Sequence, residues 1–280
     1  MPCDLHVHSI HSDGSLTPAE LIAEAKKFGL TIALTDHNTV SGLPDFMEQA
    51  AGQGVTAVPG IEISSVSEGI ELHVVGLFIS PEHYETIENT MQEYHRLKEE
   101  SNLALAEALS KGGYAIRYDE IKHRAKDTTP NRAHFALALV EAGYVSSVQE
   151  AFETLLGEDM GYYTPPRRLG TADAIRWLTS LHVLPVLAHP LLNLTAEELR
   201  RRLPDLQKAG LKAMEVQHCT YDDQTIATAK AIADEFELLY SGGSDFHGTP
   251  KPDVKLGVGK GNLDIPQEYY ETLQNQAKLL

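Results

Sequence analysis

The sequence predicts an α/β fold, a parallel sheet or barrel interrupted by a helical insertion, on three observations. Short β-rich runs alternate with amphipathic segments over residues 3–79, and the same rhythm returns over 184–240. The stretch between, 84–163, is patterned as helix. His or carboxylate residues fall near the ends of nearly every expected strand, where a parallel barrel builds its site.

Residues 3–8 form the first expected strand. Thr17, Pro18 and Glu20 then mark a helix start, with Thr17 as cap, Pro18 at the first helical position and Glu20 placed for a capping box. Strands follow at 31–35 and 55–63 with a helix from about Gly42 between them, and 70–79 continues the sheet. Within 84–163, Leu103, Leu105, Ala106 and Leu109, then Phe135, Leu137 and Leu139, then Phe152, Leu155 and Leu156 give a helical pattern. This segment is expected as a substrate cap inserted into a barrel of residues 1–83 and 164–280. Strands resume at 184–188, 211–217 and 238–240, each after a helix-like segment. Gly257, Gly259 and Gly261 beside Lys260 are expected as a turn closing the fold, a phosphate loop being the alternative.

At 280 residues and 42% hydrophobic content, the chain is long enough for a barrel carrying a smaller insertion. A formal charge of −17 argues against a long nucleic-acid groove, which needs clustered Lys and Arg. No apolar run approaches the roughly 18 residues of a membrane span, so no membrane partner is expected. Asp4, His6 and His8 occupy the place of a signal peptide's apolar stretch, and Cys3 and Cys219 are too few for a disulfide framework. A cytoplasmic protein, monomeric or weakly oligomeric, is expected.

His6 and His8, one residue apart on a strand, project from the same face and can reach one metal together, although the spacing alone also fits two surface histidines. Asp13 lies in the loop after them, His37 ends the second strand, Glu62 ends the third, and His73 lies within the fourth. His189 closes the strand 184–188, and Asp245 and His247 follow the last one with D-x-H spacing. Imidazole and carboxylate suit Zn, Mn and Fe. Six histidines and three carboxylates exceed one ion's needs; shared among three, they leave each with about three protein ligands and open positions. Three divalent ions would outweigh the charges of Asp13, Glu62 and Asp245, making the pocket locally cationic and phosphate a natural ligand.

Asp4-Leu-His6-Val-His8-Ser9, Thr35-Asp36-His37, Gly60-Ile61-Glu62, Ala188-His189-Pro190 and Ser244-Asp245-Phe246-His247 resemble, in order, the motifs of the PHP (polymerase and histidinol phosphatase) superfamily. The resemblance implies a distorted (β/α)7 barrel with a trinuclear site. It places His6, His8, Glu62 and Asp245 on one ion, Glu62, His73 and His189 on a second, and Asp13, His37 and His247 on a third, with Glu62 bridging. Two or three divalent ions are expected, Mn favoured over Fe and Zn.

Asn131-Arg132-Ala133-His134-Phe135, Gly161-Tyr162-Tyr163 and Arg167 resemble the corresponding region of bacterial members that act on nucleoside 3′,5′-bisphosphates and on the 5′ ends of short RNAs. Substrate contacts at Asn131, Arg132, His134 and Arg167 follow, the arginines gripping a second phosphate. The alternative is that Arg132 begins a helix and His134 packs. His218 is a further candidate to face substrate. His11, Asp13 and His247 are the expected catalytic residues; His11 would orient substrate or donate a proton, unless it is a solvent-facing loop histidine.

The expected activity is hydrolysis of a small phosphorylated substrate, a nucleotide or short RNA end, by a metal-bound hydroxide. The rivals are a histidinol-phosphate phosphatase, which the insertion disfavours, a general phosphodiesterase, and a metal-stabilised binding module without turnover.

Overall fold

The computed structural model describes residues 2–125 and 130–280. They fall into two compact units, Met1–Glu88 with Leu169–Leu280, and Asn89–Arg168.

The first unit begins with β1 (Cys3–Asp4), α1 (Pro18–Phe28) and β2 (Thr31–Leu34). Thr17 caps α1 in a capping box with Glu20, and Gly29, left-handed at φ 59°, ends it. Leu21, Ile22 and Ala25, at helical spacing, are buried, as is all of β2. α2 (Leu43–Gln53), β3 (Ala57–Ser67) and β4 (Ile70–Leu77) follow. β1, β2 and β3 are parallel, but β4 runs antiparallel to β3 and to the next strand. Two expectations are corrected here. The sheet is not parallel throughout, and Glu62 does not end its strand, because β3 continues five residues further, to Ser67. The cause is the two-residue connection Glu68-Gly69, at φ 50° and 81°, which is a hairpin turn; a parallel return would need a crossover of a dozen residues or more.

The chain then enters α3 (Tyr84–Lys111), most of which belongs to the second unit, followed there by α4 (Tyr118–Ala125), α5 (Arg132–Glu141) and α6 (Val148–Ala151). α6 runs on into a wider turn, Phe152–Leu156. This unit has its own core, with Leu105, Leu109, Ile121, Phe135, Leu139 and Leu156 fully buried. Each such side chain contributes about 1.5–3 kcal/mol against exposure.

Back in the first unit, α7 (Thr171–Ser180), β5 (Leu184–Ala188), α8 (Ala196–Ala209), β6 (Ala213–His218), α9 (Asp223–Glu235), β7 (Leu239–Gly243) and α10 (Gln267–Ala277) complete the alternation. β5, β6 and β7 are parallel, and the seven strands are ordered β1 to β7. The sheet curls until its ends meet. Leu5 N–H donates to Gly242 O at 3.1 Å, Asp245 N–H to His6 O at 2.9 Å, and His8 N–H to Phe246 O at 2.9 Å. The result is a nearly closed barrel with helices outside, the expected α/β class. Among the described residues no helix is long and apolar enough to cross a membrane.

Candidate metal centre

Barrel closure sets His6-Val7-His8 against the segment Ser244–His247. That approach demands glycine at 243, where an added Cβ would stand 2.2 Å from His6 Cβ. Two buried carboxylates fasten the loops on either side. Asp4 accepts from Ser244 N–H (2.8 Å), Ser244 Oγ (2.5 Å) and Gly257 N–H (2.8 Å). Asp36 accepts from Ser9 N–H (2.7 Å), Ser9 Oγ (2.6 Å) and Ser12 Oγ (2.6 Å), shaping the turn that carries Asp13. The Gly257–Gly261 segment, with Gly257, Gly259 and Gly261 all at positive φ, is tied back at Gly257 by Asp4 and forms a tight turn.

Glu62, fully buried in the middle of β3, is the hub. Its Oε2 lies 3.0 Å from His6 Nε2, 3.2 Å from His8 Nε2 and 2.9 Å from His37 Nδ1. Its Oε1 lies 2.7 Å from His73 Nδ1 and 3.0 Å from His189 Nε2. The antiparallel course of β4 makes this possible. It puts His73 opposite Ala188, so a residue early in β4 meets the carboxyl end of β5, where His189 follows. Asp245 Oδ1 adds a contact to His8 Nε2 at 3.2 Å, and Asp13 Oδ1 stands 3.2 Å from His247 Nε2.

The nine expected ligands therefore converge. Donor atoms within 4.8 Å of one another form the groups His8, Asp13, His37 and His247; His6, His8 and Asp245; His37, Glu62 and His73; and His6, His189 and Glu215. The resemblance paired His73 with His189 on Glu62; both do meet Glu62 Oε1, but the compact group joins His73 to His37. Two backbone outliers sit at ligand positions, His189 at φ 28° and Asp245 at φ 54°. Strained non-glycine residues persist where the surroundings enforce them, and they cluster at functional sites.

His6 Nε2, His8 Nε2, Asp13 Oδ1, His37 Nδ1 and Glu62 Oε2 are buried without a hydrogen bond, although Glu62 Oε2 stands 3.0, 3.2 and 2.9 Å from the three imidazole nitrogens. Buried polar atoms left this way are costly unless something else satisfies them. Lone pairs aimed at shared points, from imidazole and carboxylate only, fit divalent cations.

The electrostatics of the metal-free cluster say the same. Burial alone would raise Glu62, but His37, His6 and His73 hold it well below the usual carboxylate range. Asp245 is likewise held well below its usual value, burial being outweighed by its hydrogen bonds with His218 and His8. Against the pull of burial, Glu62 and Glu215 raise His6 well above the ordinary imidazole value, and Glu62 pushes His73 up to about 10. His8 is lowered, first by burial and then by the charge of His37. The protonated forms of His6 and His73 are thus favoured beside Glu62, the charge that cations would otherwise supply.

Among the other expected site residues, His11 is exposed, its Nδ1 2.8 Å from Ser41 Oγ. His218 is buried, with Nε2 3.4 Å from Asp245 Oδ2 and Nδ1 2.9 Å from Thr220 Oγ1. Asn131, Arg132, His134 and Arg167 belong to the second unit. Asn131 caps α5, and His134 Nδ1 accepts the Asn131 N–H in return. Arg132 lies 4.4 Å over the Tyr163 ring and donates from Nη1 to Leu156 O at 3.1 Å. Arg167 is exposed, with no hydrogen bond or ion pair among the described residues.

Two residues escaped the sequence reasoning. Lys251 Nζ lies 2.6 Å from Asp245 Oδ2, brought back by the turn after β7. Glu215 is buried on β6, 2.8 Å from His6 Nδ1. A lone carboxylate between Ala213-Met214 and Val216 in an apolar strand was the available signal for Glu215.

A family model described as the PHP domain matches residues 4–158. The chain is 33% identical over 264 residues to a 5′-3′ exoribonuclease of Haemophilus influenzae, covering 94% of each chain. It is 29% identical over 265 residues to a 3′,5′-nucleoside bisphosphate phosphatase of Chromobacterium violaceum, covering 94% of this chain and 90% of that one. The solved structure of an inferred metal-dependent phosphoesterase from Bifidobacterium adolescentis aligns with a TM-score of 0.72 at 27% identity, over 99% of this chain and 98% of that one.

Proposed function

This chain belongs to the PHP domain family, and from that premise we propose that it is a phosphoesterase acting on a nucleoside 3′,5′-bisphosphate or the 5′ end of a short RNA with two or three divalent ions, Mn favoured. The observation that carries the reading is the set of buried, unpartnered imidazole and carboxylate atoms around Glu62. When bound, the ions supply positive charge to the phosphoryl oxygens and acidify a water molecule.

The chain's own residues do the rest. Glu62, with one oxygen toward His6, His8 and His37 and the other toward His73 and His189, would be shared between two ions. Asp13 and His247, with His8 and His37, would hold a further one beside the loop of His11. His11, anchored through Nδ1 on Ser41, keeps Nε2 for proton transfer to the leaving oxygen. Lys251 and the buried His218, both on Asp245, place further donors at the cluster's edge. Arg167 and Arg132 are proposed to recognise the second phosphate on chemistry alone: Arg167 is exposed, and Arg132 has donors beyond its one bond to Leu156 O.

The test is phosphate release, with Mn²⁺ supplied, from adenosine 3′,5′-bisphosphate, AMP, histidinol phosphate and a 5′-phosphorylated short RNA, with His8→Ala as control. Preference for the bisphosphate or the RNA end, lost in the control, is the expected result. Preference for histidinol phosphate would keep the cluster and remove the substrate assignment; no release from any of them would overturn the proposal.

A further inference from the structure

The carboxylate of Glu215 lies fully buried on β6, where an uncompensated charge would cost several kcal/mol. Both oxygens are engaged. Oε1 is 2.8 Å from His6 Nδ1, and Oε2 accepts the backbone N–H of His189 at 2.7 Å. An ionised carboxylate only accepts, so the first contact keeps a proton on His6 Nδ1, and in the neutral ring, the form that binds a metal, the lone pair is left on Nε2. It is Nε2 that stands 3.0 Å from Glu62 Oε2, buried and without a hydrogen bond. The second contact holds a strained residue. His189, at φ 28° and ψ 49°, precedes Pro190, and its N–H bond to Glu215 fixes the turn from which Nε2 reaches Glu62 Oε1 at 3.0 Å.

We propose that Glu215 is a positioning residue: it sets the His6 tautomer that presents Nε2 to a divalent cation, and it pins the His189 backbone so that one buried carboxylate orients ligands from two strands. The inference rests on the metal reading given above. Direct ligation by Glu215 is the rival, since Glu215, His6 and His189 each offer a donor atom to one compact group. Ligation through Oε1 beside His6 Nδ1 would need the lone pair of that ring on Nδ1 and would leave a proton, not a lone pair, facing Glu62, so the geometry favours the supporting role. Such partners of metal-bound histidines govern ring orientation and basicity.

Glu215→Gln tests this with little change in volume. The side-chain amide has a single acceptor oxygen, which the His189 N–H must keep, so its NH₂ faces His6 Nδ1 and drives the proton of His6 onto Nε2. Chelator-stripped wild-type and Glu215→Gln proteins are titrated calorimetrically with Mn²⁺, and the melting temperature of each metal-free chain is recorded. The expected outcome is a loss of about 10–100-fold in affinity at one ion position, with the metal-free chain still folded. A second measurement needs no variant. In ¹⁵N-histidine spectra of the Zn²⁺-loaded wild type, with His6 assigned by His6→Gln, Nδ1 is expected to be protonated. Equal affinity in the two proteins, or a wild-type His6 protonated on Nε2, overturns the proposal; if Glu215→Gln fails to fold, the spectrum decides alone. A wild-type chain that takes up no metal overturns the metal reading itself, and this inference with it.

Discussion

Five imidazoles meet Glu62, and three of them, His6, His37 and His73, are raised above the ordinary imidazole value, so that cations compete with protons there. His37 is raised, its burial opposed by the charge of Glu62, and His73 is pushed up to about 10 by the same carboxylate against its burial. His73 is therefore protonated at neutral pH, His37 keeps its proton to higher pH than an ordinary imidazole, and a metal binds only the neutral ring. The sign follows: ion binding releases protons, and affinity for Mn²⁺ rises with pH. Titration calorimetry at pH 7 in buffers of different ionisation enthalpy is expected to show about one or more protons released per chain, with weaker binding at pH 6 than at pH 8. Binding enthalpies independent of the buffer would count against the protonated cluster. At this scale the sequence was informative where ligands come in short spacings, as at His6/His8 and Asp245/His247, although these pairs lie just beyond β1 and β7 and not within a strand, in the two segments that meet where the barrel closes. Glu215 was marked only as a lone carboxylate in an apolar strand, its partner His6 lying 209 residues away, and Lys251 had no pattern to mark it although Asp245 is six residues before it.

Among the elements, the junction of β7 with the His6 segment carries the strongest steric demand. A methyl group at 243 would lie 2.2 Å from His6 Cβ, so Gly243→Ala must push the strand or the ligand aside. The expected cost is about 3 kcal/mol or more, read as a lower melting temperature, together with weakened Mn²⁺ binding. A variant as stable as the wild type and equal to it in metal content would show that the closure is looser than described. The alternation of strand and helix, the helix start at Thr17 and the strand Leu184–Ala188 were all legible from periodicity and capping residues. The direction of β4 was legible too but was missed. With only Glu68-Gly69 between two β-rich runs, no parallel return is possible, and that reversal is what lets His73 join the carboxyl ends of β3 and β5.

For the molecule as a whole, a chain of net charge −17, a member of the PHP domain family, concentrates histidines and carboxylates at one end of a barrel. An acidic protein can favour an anionic substrate only if cations reverse the potential locally, and the unpartnered atoms around Glu62 are placed to hold them. The second unit, with its own core, was legible as helical, but what its arginines recognise is a matter of ligand chemistry that side-chain type alone leaves open. The most direct test removes the ions. Chelator-stripped protein is assayed on adenosine 3′,5′-bisphosphate before and after stepwise addition of Mn²⁺, with bound metal counted at each step. The account predicts no phosphate release from the stripped chain, activity that climbs with occupancy to two or three ions, and in Glu62→Ala fewer ions bound and no release beyond background. Full activity in the stripped chain, or a Glu62→Ala variant that binds and hydrolyses like the wild type, would contradict it.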